Sequence, residues 1–205
     1  HYYTLSGVVP NAGDIKFVPQ RDIEYKQEIT DEDRTVLGKD VPDFTYGVNL
    51  SLQYKGFEFS MFGQGISGTK VAFDVYGVHP FYHGQDSPRK YHLKRWTEEN
   101  PNPHAAYPRI YSASSVHTTY NRNFSDYHSF DSDYFRFKTL SLGYTVPSAT
   151  VKNWGLQSLK VYVTGENLFT VRADKKMEDF DPETAGGVIY TLGTKSVAFG
   201  VNISF

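Results

Sequence analysis

The stretch Phe44-Thr45-Tyr46-Gly47-Val48-Asn49-Leu50-Ser51-Leu52-Gln53-Tyr54-Lys55-Gly56-Phe57-Glu58-Phe59-Ser60-Met61 decides the fold. Phe44, Tyr46, Val48, Leu50, Leu52 and Tyr54 fall on one parity, and Thr45, Gly47, Asn49, Ser51, Gln53 and Lys55 on the other. Helical spacing cannot produce an unbroken period of two; a strand with one apolar and one polar face does. Lys55-Gly56 then reads as a two-residue hairpin turn, with Gly supplying the positive φ that such turns need. The return strand sets Phe57, Phe59 and Met61 against Glu58, Ser60 and Gln64. Tyr54 and Phe57 face each other on the apolar side, so the register is self-consistent.

Three more strands follow by the same period. One spans 134–146, with Leu140, Leu142, Tyr144 and Val146 against Ser141, Gly143 and Thr145. Arg136 and Lys138 share the apolar parity, so a bulge or an end beyond the apolar band is expected there. The next spans 159–169, with Leu159, Val161 and Val163 opposite Tyr162, Thr164 and Glu166. The last spans 196–205, where Val197, Phe199, Val201, Ile203 and Phe205 alternate with Ser196, Ala198, Gly200, Asn202 and Ser204. With 44–55 and 57–65 these make five antiparallel strands of an all-β fold. The connections alternate in length: Lys55-Gly56 is minimal, 66–133 very long, 147–158 short, with a helical turn before Gly155, and 170–195 long again. In an up-and-down sheet this places short turns at one end and large loops at the other, the asymmetry of outer-membrane barrels.

Dimensions agree. Ten steps of roughly 3.3 Å from Phe44 to Tyr54, tilted by about 40°, span about 25 Å, the height of a barrel's apolar band. Phe44 and Tyr46 would lie in one aromatic girdle, Tyr54 and Phe57 in the other. The 205 residues carry 16 Tyr, 15 Phe and 2 Trp, so much aromatic surface must lie in a large sheet or be exposed. A net charge of -2 gives no basic patch for nucleic acid, and the absence of cysteine excludes a disulfide scaffold or thiolate metal site. No apolar run reaches the roughly 18 residues of a membrane helix, a test that strands of a barrel would never meet. On periodicity alone two readings stand: a membrane β-barrel section, and a soluble β-sandwich that binds carbohydrate.

The residues then resemble a known family. Pro42 to Leu50, continuing through Tyr54-Lys55-Gly56-Phe57-Glu58-Phe59-Ser60, resembles a hallmark of the SusC/RagA TonB-dependent outer-membrane transporters. Ala12-Gly13-Asp14-Ile15-Lys16-Phe17, Asp31-Glu32-Asp33-Arg34 and Trp96-Thr97-Glu98-Glu99-Asn100-Pro101-Asn102 with Tyr107-Pro108-Arg109 are similar to further family segments. So are Phe130 to Lys138, Leu140 to Pro147, Val161 to Thr170, Phe180-Asp181-Pro182-Glu183 and the terminal Phe205. The matches run in order along nearly the whole chain. The resemblance implies the last five strands of a barrel of about 22 strands. It implies a Gram-negative outer-membrane location, import of glycans or peptides, and no enzymatic activity or cofactor. It also implies a SusD-like surface lipoprotein partner, energy from TonB through a region absent here, and handling by the barrel-assembly machinery. Residues 1–43 are then expected as an extracellular loop region and 44–205 as the barrel strands with their loops. Five strands cannot close a barrel, and His1 is not an initiator Met, so the chain is expected to be part of a longer protein.

Candidate functional residues are few. The aromatic loop offers Tyr82, Tyr91, Trp96 and Tyr107 as contacts for substrate or the lipoprotein partner, with packing as the competing role. Tyr76, Phe81, Tyr111 and Tyr120 share that loop. Glu166 falls on the polar, lumen-facing parity. Phe199, Val201, Ile203 and Phe205 form an assembly signal, the role that the resemblance assigns to the terminal aromatic. The family's upstream loop often carries a calcium-binding run; here Val18 to Glu24 has Pro19 in the first ligand place and lacks the glycine turn, so a solvated acidic loop without metal is expected. His79, His83 and His92 lie in one loop, His79 and His83 four apart, but Pro80-Phe81-Tyr82 does not read as a helix, so surface histidines are expected, not zinc ligands. Glu98 and Glu99 have no second acid placed to work with them, and no nucleophilic triad or phosphate loop is present.

Overall fold

A computed structural model describes residues 2–72, 79–81, 87–175, 178, 180–183 and 193–205. The chain divides into two units. The unit of 41–69, 132–175 and 192–205 is a five-stranded antiparallel meander: β1 (Phe44–Tyr54), β2 (Phe57–Ser67), β3 (Tyr134–Thr145), β4 (Ser158–Arg172) and β5 (Ser196–Ser204), paired in that order. The hairpin between β1 and β2 is the two-residue turn, and both its residues have positive φ, Lys55 at 46° and Gly56 at 88°. That is the mirror-image turn whose twist matches the flanking strands. The 147–157 connection holds a short helix, Ser148–Lys152, whose Val151 is fully buried.

Register carries the alternation across the whole sheet. Leu50 pairs with Met61, Met61 with Leu140, and Leu140 with Gly165; Leu52, Phe59, Leu142, Val163 and Phe199 make the next row. One side of the sheet is therefore apolar, and its side chains are exposed: Leu52 at 56%, Leu142 at 50% and Phe199 at 84%. A soluble sandwich would bury this face against a second sheet.

The misplaced parity of Arg136 and Lys138 resolves as a bulge. The ladder from β3 to β2 jumps from Thr139↔Phe62 to Phe137↔Gly63, and on the β4 side from Thr139↔Glu166 to Phe137↔Phe169. Beyond it, Phe135 and Phe137 rejoin the apolar face while Arg136 turns to the polar one. On β4 the irregularity passes through Asn167, which takes φ 53°. Pairing then resumes to Tyr134↔Arg172, so β4 runs three residues past the end expected from the sequence.

Two aromatic belts result, one at each end of the apolar face. At the short-turn end Phe57 and Tyr144 pack at 4.6 Å beside Tyr54. At the other end Tyr46 stacks on Phe135 at 6.0 Å, Phe135 meets Phe137 edge-on at 5.2 Å, and Phe137 meets Phe169 at 6.4 Å. Glycine makes this second belt possible. A Cβ on Gly65 would come within 2.6 Å of the Tyr46 ring and closer still to the Tyr134 carbonyl oxygen.

The other unit comprises 1–40, 70–131 and 176–191, of which the described residues form short elements only. Thr4–Leu5 pairs in parallel with Glu28–Ile29, and Lys70–Ala72 pairs antiparallel with Ser129–Asp131. The helix Val116–Arg122 is capped by Ser115, whose hydroxyl accepts the His117 N–H. Phe17 and Tyr120 meet edge-on at 5.2 Å in its buried centre.

Candidate functional site

The polar face of the sheet is the first candidate. Ser51 and Gln53 of β1, Glu58 and Ser60 of β2, Ser141 of β3, Lys160, Tyr162 and Thr164 of β4 and Asn202 of β5 line a shallow concavity of about 270 Å³. Each stands there because it lies one residue out of phase with the apolar rows. Lys160 Nζ donates to Glu58 Oε2 at 2.5 Å, and Thr145 Oγ1 donates to the other carboxylate oxygen at 3.3 Å. Ser141 and Thr164 share a hydroxyl hydrogen bond of 3.0 Å. Glu166 lies on this face opposite Ser196, whose hydroxyl donates to Glu166 Oε2 at 3.0 Å. Beyond the bulge, Arg136 is buried at 4% exposure, and its Nε donates to Thr170 Oγ1 at 2.9 Å. This surface offers hydroxyl, amide and already paired charged groups, without a nucleophile–base arrangement among the described residues.

The aromatic loop is the second candidate, in the other unit. Tyr91 lies 5.6 Å from Tyr107 and 5.5 Å from Phe180, ring to ring. His92, 1% exposed, packs between Tyr91 at 4.5 Å and Tyr107 at 5.1 Å. Trp96 is held separately. Its N–H donates to the Tyr107 carbonyl at 2.9 Å, and the Arg109 guanidinium lies 5.7 Å from its ring centre. Gly13 approaches the same indole so closely that a Cβ there would sit 2.4 Å from it. Arg109 also pairs with Glu98 at 2.8 Å and lies 5.2 Å from the Tyr111 ring. The structure thus brings Tyr91 and Tyr107 into one aromatic cluster and ties Trp96 to it through the backbone, with the rings in contact with protein. Tyr82, Tyr76 and His83 lie outside the described residues.

The histidines depart from expectation. His79 and His92 are buried, as is His128: His92 packs between Tyr91 and Tyr107, His128 lies beside Phe124 and Tyr127, and the His79 and His128 rings are 5.2 Å apart. Among the described residues no group of three metal-ligating side chains converges. The 18–34 loop is also more than a solvated acidic stretch. The Asp33 carboxylate accepts hydrogen bonds from Arg21 Nε and Nη2 and from the backbone N–H groups of Gln20, Arg21 and Thr30. The Arg21 guanidinium beside it holds this carboxyl far below the usual carboxylate range.

Sequence reasoning did not single out a further polar node. Asp14, its side chain fully buried, accepts from His117 Nδ1 at 2.7 Å, from Asn121 Nδ2 at 2.8 Å and from the Asn11 N–H at 2.7 Å. Tyr111 stacks on His117 at 4.9 Å, and burial with the neighbouring Asp14 pushes its hydroxyl up to about 12. The node joins residues more than a hundred positions apart, so no local pattern announces it.

No family model matches the chain. Two TonB-dependent receptors of Formosa agariphila do resemble it. Receptor P3 is 29% identical over 167 residues, which is 82% of this chain and 15% of that receptor. Receptor P26 is 28% identical over 187 residues, 86% of this chain and 18% of that receptor. The chain therefore spans under a fifth of the length of either relative. Among solved structures, the RagAB peptide importer in its open-open state superposes with a TM-score of 0.64 at 23% identity, over 95% of this chain and 21% of that one. Its closed-closed state gives 0.55 over 80% of this chain. A two-faced meander with aromatic belts, the ordered segments resembling one family and these relatives converge: the chain resembles a SusC/RagA-like section of the TonB-dependent β-barrel proteins of the outer membrane.

Proposed function

We propose that the chain forms part of the wall and loops of an outer-membrane importer of about 22 strands. Its cargo in this reading is a glycan, with peptide as the second possibility because the RagAB neighbour is a peptide importer. The observation that carries the reading is the sheet itself, apolar and exposed on one side, hydroxyl- and amide-rich on the other, with an aromatic belt at each end of the apolar side. That is the transverse profile of a barrel wall with lipid on one side and a polar lumen on the other. The protein would act with a SusD-like lipoprotein at its loops, and Tyr91, Trp96 and Tyr107 support a loop surface shaped by aromatic packing. TonB would supply energy through a region outside this chain. Phe199, Val201, Ile203 and Phe205 would serve assembly, since the outer edge of β5 must be paired before it can sit in lipid. No catalysis is assigned to this chain.

The test is uptake by cells carrying the full-length gene and by cells with it deleted, supplied with labelled oligosaccharides or peptides. Loss of uptake of one class on deletion, restored by the gene, supports import. Equal uptake of every class by both strains contradicts it.

A further inference from the structure

The register of β5 on β4 has no local cause. β1 and β2 are held in register by a two-residue turn, whereas residues 173–195 separate β4 from β5, and a connection of that length fixes no offset. The alternation does not fix it either. A slip of one residue would turn the apolar residues of β5 to the polar side, but a slip of two keeps every face. Val161 opposes Val201; moved by two, it would meet Phe199 or Ile203, apolar against apolar. The Ser196–Glu166 hydrogen bond is exposed at the strand's end, where water can replace either partner.

One pair does distinguish the registers. Tyr162 of β4 pairs with Gly200 of β5 on the polar face. A Cβ on Gly200 would lie 2.6 Å from ring atom Cε1 and closer still to Cζ and Oη, so the ring occupies the place of the missing side chain. Gly200 has no positive φ, so the backbone itself does not call for glycine. It alone among the nine residues of β5 is not exposed. The opposite side of Tyr162 is taken: a Cβ on Gly143 of β3 would lie 3.0 Å from Lys160 Cε, where that stem runs toward Glu58. A slip of two in either direction sets Ala198 or Asn202 against Tyr162, and its Cβ then claims the place of the ring. Both partners belong to the sheet, so the joint is the same whatever fills the lumen.

Resting on the barrel reading above but not on what the barrel imports, we propose that Tyr162 seated over Gly200 is the register lock of the terminal strand. It admits one offset of β5 on β4 and so sets the stagger at which the outer edge of β5 meets the strand that closes the barrel. Stagger and strand tilt are linked in a closed barrel, so an error of two residues at this seam would carry round the wall.

The experiment places cysteine pairs in the full-length protein; this chain has no cysteine of its own. Val161→Cys with Val201→Cys reads the native register, and Val161→Cys with Phe199→Cys or Ile203→Cys reads a slip of two in either direction. Directly opposed strand residues lie within the reach of a disulfide. Outer membranes are oxidised with copper phenanthroline, and cross-links are counted in heat-modifiable, assembled protein. With Tyr162 and Gly200 in place, the first pair should cross-link and the other two should not. Tyr162→Ala should raise the ratio of slipped to native cross-links at least about fivefold, while Tyr162→Phe keeps the native pattern, because the ring and not the hydroxyl fills the notch. Gly200→Val should lower the assembled amount at least about fivefold although valine suits a strand, and adding Tyr162→Ala should recover it. Native cross-linking unchanged in Tyr162→Ala overturns the lock. So does normal assembly of Gly200→Val with the native cross-link, or a Gly200→Val defect that Tyr162→Ala does not relieve.

Discussion

Replacing Leu50 by Arg should destabilise the assembled barrel far more than replacing its neighbour Ser51 by Arg. Leu50 lies six steps from Phe44 and four from Tyr54 on β1, one residue from the strand's midpoint. At about 3.3 Å per residue and a tilt of about 40°, it sits roughly 15 Å from one aromatic end and 10 Å from the other, near the bilayer midplane. It shares a lateral row with Met61 and Leu140, so an arginine there has only lipid to meet. The cost at this depth is about 2–4 kcal/mol, a drop of roughly 30- to 700-fold in the folded-to-unfolded ratio. Ser51 opposes Ser60 and lines the polar concavity, so Ser51→Arg should change stability by under about 0.5 kcal/mol. The assay is guanidinium unfolding of the full-length protein in lipid vesicles, read by heat-modifiability on gels. Equal losses at the two positions, or a larger loss at Ser51, would refute the assignment of faces.

Gly65→Ala should cost about 1–3 kcal/mol in the same assay, because the new methyl meets the Tyr134 carbonyl and the Tyr46 ring; an unchanged midpoint would show that the belt has room to spare. Asp33→Asn should lower hydrogen-exchange protection of the Gln20, Arg21 and Thr30 amides, which donate to that carboxylate. The Asp33 carboxyl is held below its unfolded value of about 3.9, so its contribution is present above that pH and fades only as pH falls toward the lower folded value. Wild-type protection corrected for intrinsic exchange should therefore be the same at pH 5 and pH 8, and a marked fall by pH 5 would count against the Arg21 clamp. Deleting Phe205 should reduce heat-modifiable protein in the outer membrane while uptake per assembled molecule stays normal; normal assembly with impaired uptake would move the residue from biogenesis to transport.

The sheet was legible because its chemistry is local. A period of two across Phe44 to Tyr54, closed by Lys55-Gly56, contains strand, face and hairpin register at once. Arg136 and Lys138 even announced the bulge, since two charges on an apolar parity need a register change to escape it. The far end of β4 was not legible, because the irregular residues around Asn167 interrupt the alternation before pairing resumes. The loop chemistry is harder still. Nothing near His92 shows that Tyr91 and Tyr107 enclose it, and the partners of Asp14 lie at 117 and 121, brought to it only by tertiary structure.

The most direct measurement of the two-faced wall is thiol accessibility in the native outer membrane. The chain has no cysteine, so each introduced thiol is unique within it. Leu50→Cys, Leu142→Cys and Val163→Cys probe one face; Ser51→Cys, Ser141→Cys and Thr164→Cys probe the other. A small, charged, water-soluble thiol reagent should modify the second set and spare the first, which should react only with a lipid-soluble reagent. Labelling of both sets alike by the charged reagent, or of the first set in preference, would contradict a sheet standing between lipid and lumen.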